Sequence, residues 1–449
     1  MTTVNKSFYK RLFKLAAPIS LQALITFSIG LSDVIMIGRL GDNAISSVYV
    51  GNQVQTLLTF FIAGVEGAIL AISAQYWGCK DNNTIKRIFT LGLLISVAVS
   101  LILTILCISA PEFVVSIFTN KKSIIKDGAE YLSVIALSFL FFSLTNIIIA
   151  TMRSVESAKI GFVSSLFALA INLIFNYALI FGKLGAPRLE VRGAGIATLI
   201  ARIAECLFVT VYLIFIDKKL KIRIKDLKID KEIAMQFLKY GSPIILGQIV
   251  WSINLLFASA VIGWQKSSEG TAAMSIASSL GNLSYVVTNG ISGSLGVITG
   301  KSIGEGNIDY VKSYSKKAQI LFIALGALTA IIMQLLKNPF ISIYNISPPA
   351  IKMSRKFINM LSITATATCY QSAVLFGLLK SGGDTKFVLK TEAIAVFLFV
   401  IPSAIIASRL GAPLPIIYLF LKIDQFIKCF PAAIRLNKFK WIKNIASKS

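Results

Sequence analysis

The stretch "GLSDVIMIG" (30–38) places Asp33 near the end of an apolar run that begins around Phe13. An ionised carboxylate at the centre of a bilayer costs about 2.5–3.5 kcal/mol on insertion scales. Such a residue persists either because it faces a polar cavity and exchanges a cation there, or because it reaches water at the membrane surface. Asp33 precedes Arg39 by a distance of roughly 9 Å along a helix, so surface access is one reading. Gly30 and Ser32 make its surroundings small and polar, which suits a cavity wall. A carboxyl there can take up a proton on one side of the membrane and release it on the other. Sodium would instead bind the ionised form and needs several oxygen ligands.

Other polar residues sit inside apolar runs. Asn172 and Asn176 are spaced i, i+4, so one helix face carries both amides. An amide oxygen can ligate a cation or hold a carboxylic acid by hydrogen bond; ordinary interhelical hydrogen bonding is the alternative. Thr198 ends the small-residue run "GAGIAT", where close packing already explains the glycines, and its hydroxyl is a further candidate ligand. Glu66, in "AGVEGAIL", is a mid-membrane acid and is read either as a second protonation site or as a structural partner for a buried polar group. Arg202 and Glu205, of opposite sign at i, i+3, read as a self-neutralising structural pair.

The same inventory excludes much. The chain has no histidine, so imidazole proton chemistry and His-ligated metals are absent, and proton handling falls to carboxylates. Five cysteines lie scattered without CxxC spacing and read as small apolar residues. No metal site is expected beyond Na⁺ at Asp33. The turns "GEGN" (304–307) and "SGGDT" (381–385) resemble phosphate cradles, but neither is followed by a GKS/T loop, so no nucleotide is expected. Without a nucleophile–base pair or a metal cluster, the chain is not expected to be an enzyme, and no cofactor is expected.

The elements that must position these residues are transmembrane helices. Of 449 residues, 55% are hydrophobic and 14% charged, and mean hydropathy is +0.77; soluble chains carry about a quarter charged residues. Apolar runs predict an all-α integral membrane protein of twelve transmembrane helices, at 13–37, 45–77, 86–109, 126–150, 160–181, 191–216, 233–262, 270–302, 314–336, 349–379, 386–408 and 412–435. The net charge of +25 comes from Lys and Arg concentrated at the termini and in even-numbered loops, not from a basic domain that could grip nucleic acid. That bias predicts both termini on the cytoplasmic side of the cell membrane. The first run is too long for a signal-peptide core and is expected to be a retained helix.

The longest polar connection, "DKKLKIRIKDLKIDKE" (217–232), lies mid-chain and marks a repeat. "KLAAPISLQALI" (14–25) aligns with "KYGSPIILGQIV" (239–250) at an offset of 225. "GAILAISAQYWG" aligns with "GSLGVITGKSIG" at 226, and "MRSVESAK" (152–159) with "LKSGGDTK" (379–386) at 227. Slowly drifting offsets across three blocks indicate a duplication of six helices. Six is even, so the halves share one orientation and a pseudo-two-fold axis along the membrane normal, as in transporters that rock one bundle against another. The domains expected are an N-terminal six-helix lobe (1–216), a basic cytoplasmic linker (217–232) and a C-terminal lobe (233–449). The linker is read either as lying along the inner leaflet or as a solvated connector. Pro18 and Pro243 begin matching helices, as paired kinks or as early-turn prolines.

"LAAPISLQALITFSIGLSDVIMIGRLG" (15–41), "AQYWGCKD" (74–81), "INLIFNYALIFGKLGAPRLEVRGAGIAT" (171–198), "GKSIGEGN" (300–307) and "GLLKSGGDTK" (377–386) together resemble the multidrug and toxic compound extrusion (MATE) transporters of bacterial type, over nearly the whole chain. The resemblance implies two six-helix lobes and an antiporter exchanging organic, often cationic, compounds for H⁺ or Na⁺. It also implies that Asp33 is the cation-coupling residue, with Asn172, Asn176 and Thr198 beside it. Asn176 stands where one branch of the family has Asp, so the implied site lacks one negative charge. Another branch has a second carboxylate pair in the C-terminal lobe. Trp251 and Cys369 occupy those positions here, so coupling is expected to depend on the N-terminal lobe, with a slight tilt toward H⁺.

The expected function is therefore secondary active efflux of amphipathic organic cations by alternating access. The expected partners are a small-molecule substrate and the lipid bilayer, and the expected state is a monomer. The competing reading is a flippase for a lipid-linked oligosaccharide or related lipid precursor. Its cavity should carry several Arg residues for a pyrophosphate, and within the first lobe's helices only Arg202 is intramembrane.

Overall fold

The computed structural model describes residues 2–223, 226–265, 267–344 and 346–446. Among these residues the regular structure is helical throughout. Helices α1 (Thr2–Gly38), α2 (Asp42–Gly78) and α3 (Asn82–Ser109) are followed by a short α4 (Pro111–Ser116). Next come α5 (Lys122–Ala136), α6 (Ser138–Ser154), α7 (Lys159–Phe181) and α8 (Glu190–Val211). The second half holds α9 (Lys231–Trp264), α10 (Ser268–Gly304), α11 (Ile308–Ile341), α12 (Pro348–Ser372), α13 (Thr385–Ile394), α14 (Ile401–Arg409), α15 (Leu414–Phe420) and α16 (Asp424–Asn437). Nine described helices are long and apolar enough to cross a membrane, and the bent pair α5–α6 makes a tenth span. The chain is thus a multi-pass membrane protein, with helices where the apolar runs place them.

Several runs are not single straight α-helices. The fourth bends by 45° between Ala136 and Ser138. The twelfth breaks between Phe420 and Asp424. The tenth and eleventh contain π-helical turns at Ala373–Leu379 and Ala395–Val400. Pro18 and Pro243 lie well inside α1 and α9, so the early-turn reading is wrong: both helices start more than two turns upstream of their proline.

Local chemistry explains several boundaries. Asp81 caps α3, its Oδ1 accepting the Thr84 N–H at 3.1 Å and its Oδ2 accepting the Thr84 hydroxyl at 2.6 Å. Ser267 caps α10 by accepting the Gly270 N–H at 3.0 Å. Gly182 ends α7 at φ +66°, a left-handed conformation natural to glycine.

The chain forms two compact units. One comprises Leu21–Ser73 and Asp81–Phe237; its core includes Leu58, Ile62, Tyr131, Leu132, Phe139 and Ile180. The 217–232 connection belongs to this unit, although Ile224 and Lys225 lie outside the described residues. Asp217 accepts the N–H groups of Lys219, Leu220 and Lys221. Lys86 pairs with Asp226 at 2.9 Å, Arg87 pairs with Asp230, and Leu220 and Ile222 are buried. The connection is therefore packed onto the unit, not a free solvated connector. The other unit comprises Met1–Ser20, Ala74–Lys80 and Leu238–Ser449, with a core that includes Val261, Leu280, Met333, Phe357 and Tyr418.

Candidate functional site

Within the first of these units, α1 and α7 bring Asp33, Asn172 and Asn176 together. The Asn176 amide nitrogen donates to Asp33 Oδ1 at 2.5 Å and to Asn172 Oδ1 at 3.0 Å. Both asparagines are fully buried and Asp33 is half-buried. The i, i+4 spacing on α7 makes this possible, because it stacks the two amides on one face. Among the described residues, the buried Asn176 Oδ1 has no hydrogen-bond partner. Thr198 is buried on α8, the helix packed against α7, without a hydrogen bond to Asp33 or either asparagine.

Tyr131, on α5, was not visible as a site neighbour in sequence. It is buried, donates to Asn52 Oδ1 at 3.0 Å and lies within electrostatic reach of Asp33. Gly51 admits its ring: a Cβ there would sit 2.7 Å from a Tyr131 ring carbon.

Glu66 does not stand alone. Arg153, at the end of α6, approaches it at 3.8 Å and donates to Gln22 Oε1 at 2.7 Å. Arg153 falls in the repeat block "MRSVESAK", which the apolar pattern treats as a loop, so this partnership too was not legible. Arg202 and Glu205 form an ion pair at 2.8 Å. Glu205 Oε1 also accepts from Ser165 at 3.4 Å, and the Arg202 guanidinium lies 5.1 Å from the Phe142 ring centroid.

In the other unit, Trp251 packs edge-on against Tyr285 and Cys369 is buried. Gln75 is fully buried and holds backbone: its amide donates to the carbonyls of Ser381 and Lys443, and its oxygen accepts the Ile445 N–H at 2.7 Å. Asp384 takes two cations, Arg435 and Lys443, each at 2.6 Å. A second cluster, Glu392, Asp424 and Lys428, is buried among α12, α13 and α16. Glu392 lies near the start of the eleventh run, while Asp424 and Lys428 lie inside the twelfth, four apart and opposite in sign; no sequence pattern links the two runs.

The MatE family model matches residues 18–178 and again 243–406, the two halves of the repeat. A probable multidrug resistance protein NorM of Thermotoga maritima is 27% identical over 380 residues, covering 84% of this chain and 80% of its own length. Multidrug resistance protein MdtK of Pectobacterium atrosepticum is 21% identical over 418 residues, covering 90% and 89%. Among solved structures, a mutant of the Vibrio cholerae MATE transporter VcmN superposes with a TM-score of 0.89 at 15% identity, over 99% of each chain. An outward-facing multidrug resistance MATE transporter superposes at 0.86 with 18% identity, over 96% of each. With the family pattern matched in both halves and the fold shared end to end, the chain belongs to the MATE family of transporters.

Proposed function

We propose that this transporter exports amphipathic organic cations in exchange for protons taken up at Asp33. As a member of a transporter family it is not an enzyme. Relatives named for multidrug resistance support drug export as the task. The observation that carries the coupling reading is the bond from the Asn176 amide to Asp33, inside a membrane span. Both hydrogens of that amide are spent, on Asp33 and on Asn172. The nitrogen, not the oxygen, faces the carboxylate, an arrangement that suits a carboxyl alternating between acceptor and protonated states better than a sodium cage of oxygens. Aromatic residues, 30 Phe and 13 Tyr, supply apolar surface for amphipathic cations. The distribution of Lys and Arg supports a cell-membrane location with both termini in the cytoplasm.

The test is efflux of a fluorescent organic cation from pump-deficient cells, with Asp33→Asn compared at equal expression. Efflux by wild type and its loss in the variant is the expected result. In everted vesicles, a pH gradient should drive uptake without Na⁺. Equal efflux by both proteins would refute coupling at Asp33, and a strict Na⁺ requirement would refute the proton.

A further inference from the structure

We propose that the ends of α11 and α12 that flank the 342–347 connection form a binding site for a phospholipid with an anionic headgroup. Lys337, Lys352, Arg355 and Lys356 attract the headgroup phosphate, and exposed aliphatic side chains beside them receive the acyl chains. The inference concerns the lipid-facing surface of one unit and stands whether or not Asp33 couples transport.

The first observation is charge. On α12, Lys352, Arg355, Lys356 and Asn359 recur at i, i+3, i+4 and i+7, so they share one helix face. All four are exposed, whereas Ser354, Phe357, Ile358 and Ser362 are buried. The sequence has no Asp or Glu between Asp309 and Asp384. Among the described residues, neither these three cations nor Lys337 joins an ion pair. The Lys and Arg excess of the even-numbered loops does not account for them, because they flank an odd-numbered one, between the ninth and tenth runs.

The second observation is a positioned ammonium. Helix α11 packs along α12, and Lys337 Nζ donates to Asn359 Oδ1 at 2.7 Å and to Gln334 Oε1 at 2.8 Å. The Asn359 contact joins Lys337 to the α12 cations in one continuous stripe. An ammonium carries three hydrogens, so one remains for a phosphate oxygen. Arg355 adds a planar fork that matches two phosphate oxygens at once.

The third observation is depth. Ile363 continues the same α12 face one turn beyond Asn359 and is exposed, as are Leu335 and Leu336 next to Lys337. These aliphatic side chains belong to helices long and apolar enough to cross the membrane, so hydrocarbon covers them. The cations therefore stand where the headgroups begin. A lipid with net negative charge complements this surface, whereas a zwitterionic one brings an ammonium that the four cations repel.

Fluorescence quenching on the full chain in vesicles tests this. Ile363→Trp places a reporter beside the stripe, and its added emission, over that of the parent chain's four tryptophans, is quenched by phospholipid with brominated acyl chains. Brominated phosphatidylglycerol should be favoured over brominated phosphatidylcholine at this position by about fivefold or more, the factor for one engaged cation. The preference should vanish in Lys352→Gln/Arg355→Gln/Lys356→Gln and survive in Lys228→Gln/Lys231→Gln, in the 217–232 connection. Equal quenching by the two lipids, or a preference that outlasts the triple substitution, would overturn the site. Should the triple variant fail to fold, a preference left intact by ~1 M salt decides against the site, since salt screens exposed charge. Loss of the preference on adding inorganic phosphate at constant ionic strength would show a site for free anions and also overturn it.

Discussion

The amide nitrogen of Asn176 on α7 sits 2.5 Å from a carboxylate oxygen of Asp33 on α1, and its second hydrogen reaches Asn172 on the same helix face. This locks the Asn176 amide in one orientation. Hydrogen bonds to charged groups contribute about 1.5–3 kcal/mol, on the order of a tenfold to hundredfold effect on an equilibrium. Asn176→Leu should therefore lower efflux by about that factor at equal surface expression. Asn176→Asp, which keeps a side chain able to share a proton with Asp33, should retain transport. Full efflux by the leucine variant would show that the bond is ornamental.

The Arg153 side chain binds Gln22 closely and Glu66 only at 3.8 Å. Glu66→Gln should consequently keep most efflux, within about threefold, because a loose charge contact contributes little beyond ~1 kcal/mol. Arg153→Met removes the donor that Gln22 faces and should reduce folded yield. The reverse ranking, measured by dye efflux and by fluorescence-detected gel filtration, would place Glu66 in the transport chemistry.

Arg202 and Glu205 are a mostly buried pair at 2.8 Å. Arg202→Met leaves the Glu205 carboxylate without its cation and should destabilise by about 3–5 kcal/mol. Replacing both, with Glu205→Leu added, should recover most of that loss. Thermal melting of the detergent-purified proteins reads this directly; a double variant as unstable as the single would contradict it.

Gly30 and Gly304 are both helical glycines with opposite surroundings. A Cβ on Gly304 would stand 1.9 Å from the Gln75 carbonyl oxygen, whereas nothing lies within 4 Å of one on Gly30. Gly304→Ala must push backbone away and should destabilise by about 1–3 kcal/mol or more. Gly30→Ala should be neutral or stabilising by roughly 0.5–1 kcal/mol. Melting temperatures that moved equally would refute the contrast.

The sequence by itself determined the membrane class, the helix order and the duplication. Its apolar runs are long enough that each must be a helix, since a spanning backbone has to satisfy its own hydrogen bonds. It also pointed to Asp33, because an acid inside such a run is conspicuous, and to the shared face of Asn172 and Asn176, because i, i+4 spacing acts within one helix. What lies between helices was decided only by the tertiary structure. Arg153 meets Glu66 and Gln22, Tyr131 meets Asn52, and Lys428 meets Glu392 and Asp424 across gaps of 131 to 36 residues or within a single turn. No periodicity encodes which helix faces which. The bend and the π-helical turns were invisible for a related reason: each lies inside an apolar run that reads as one uninterrupted helix.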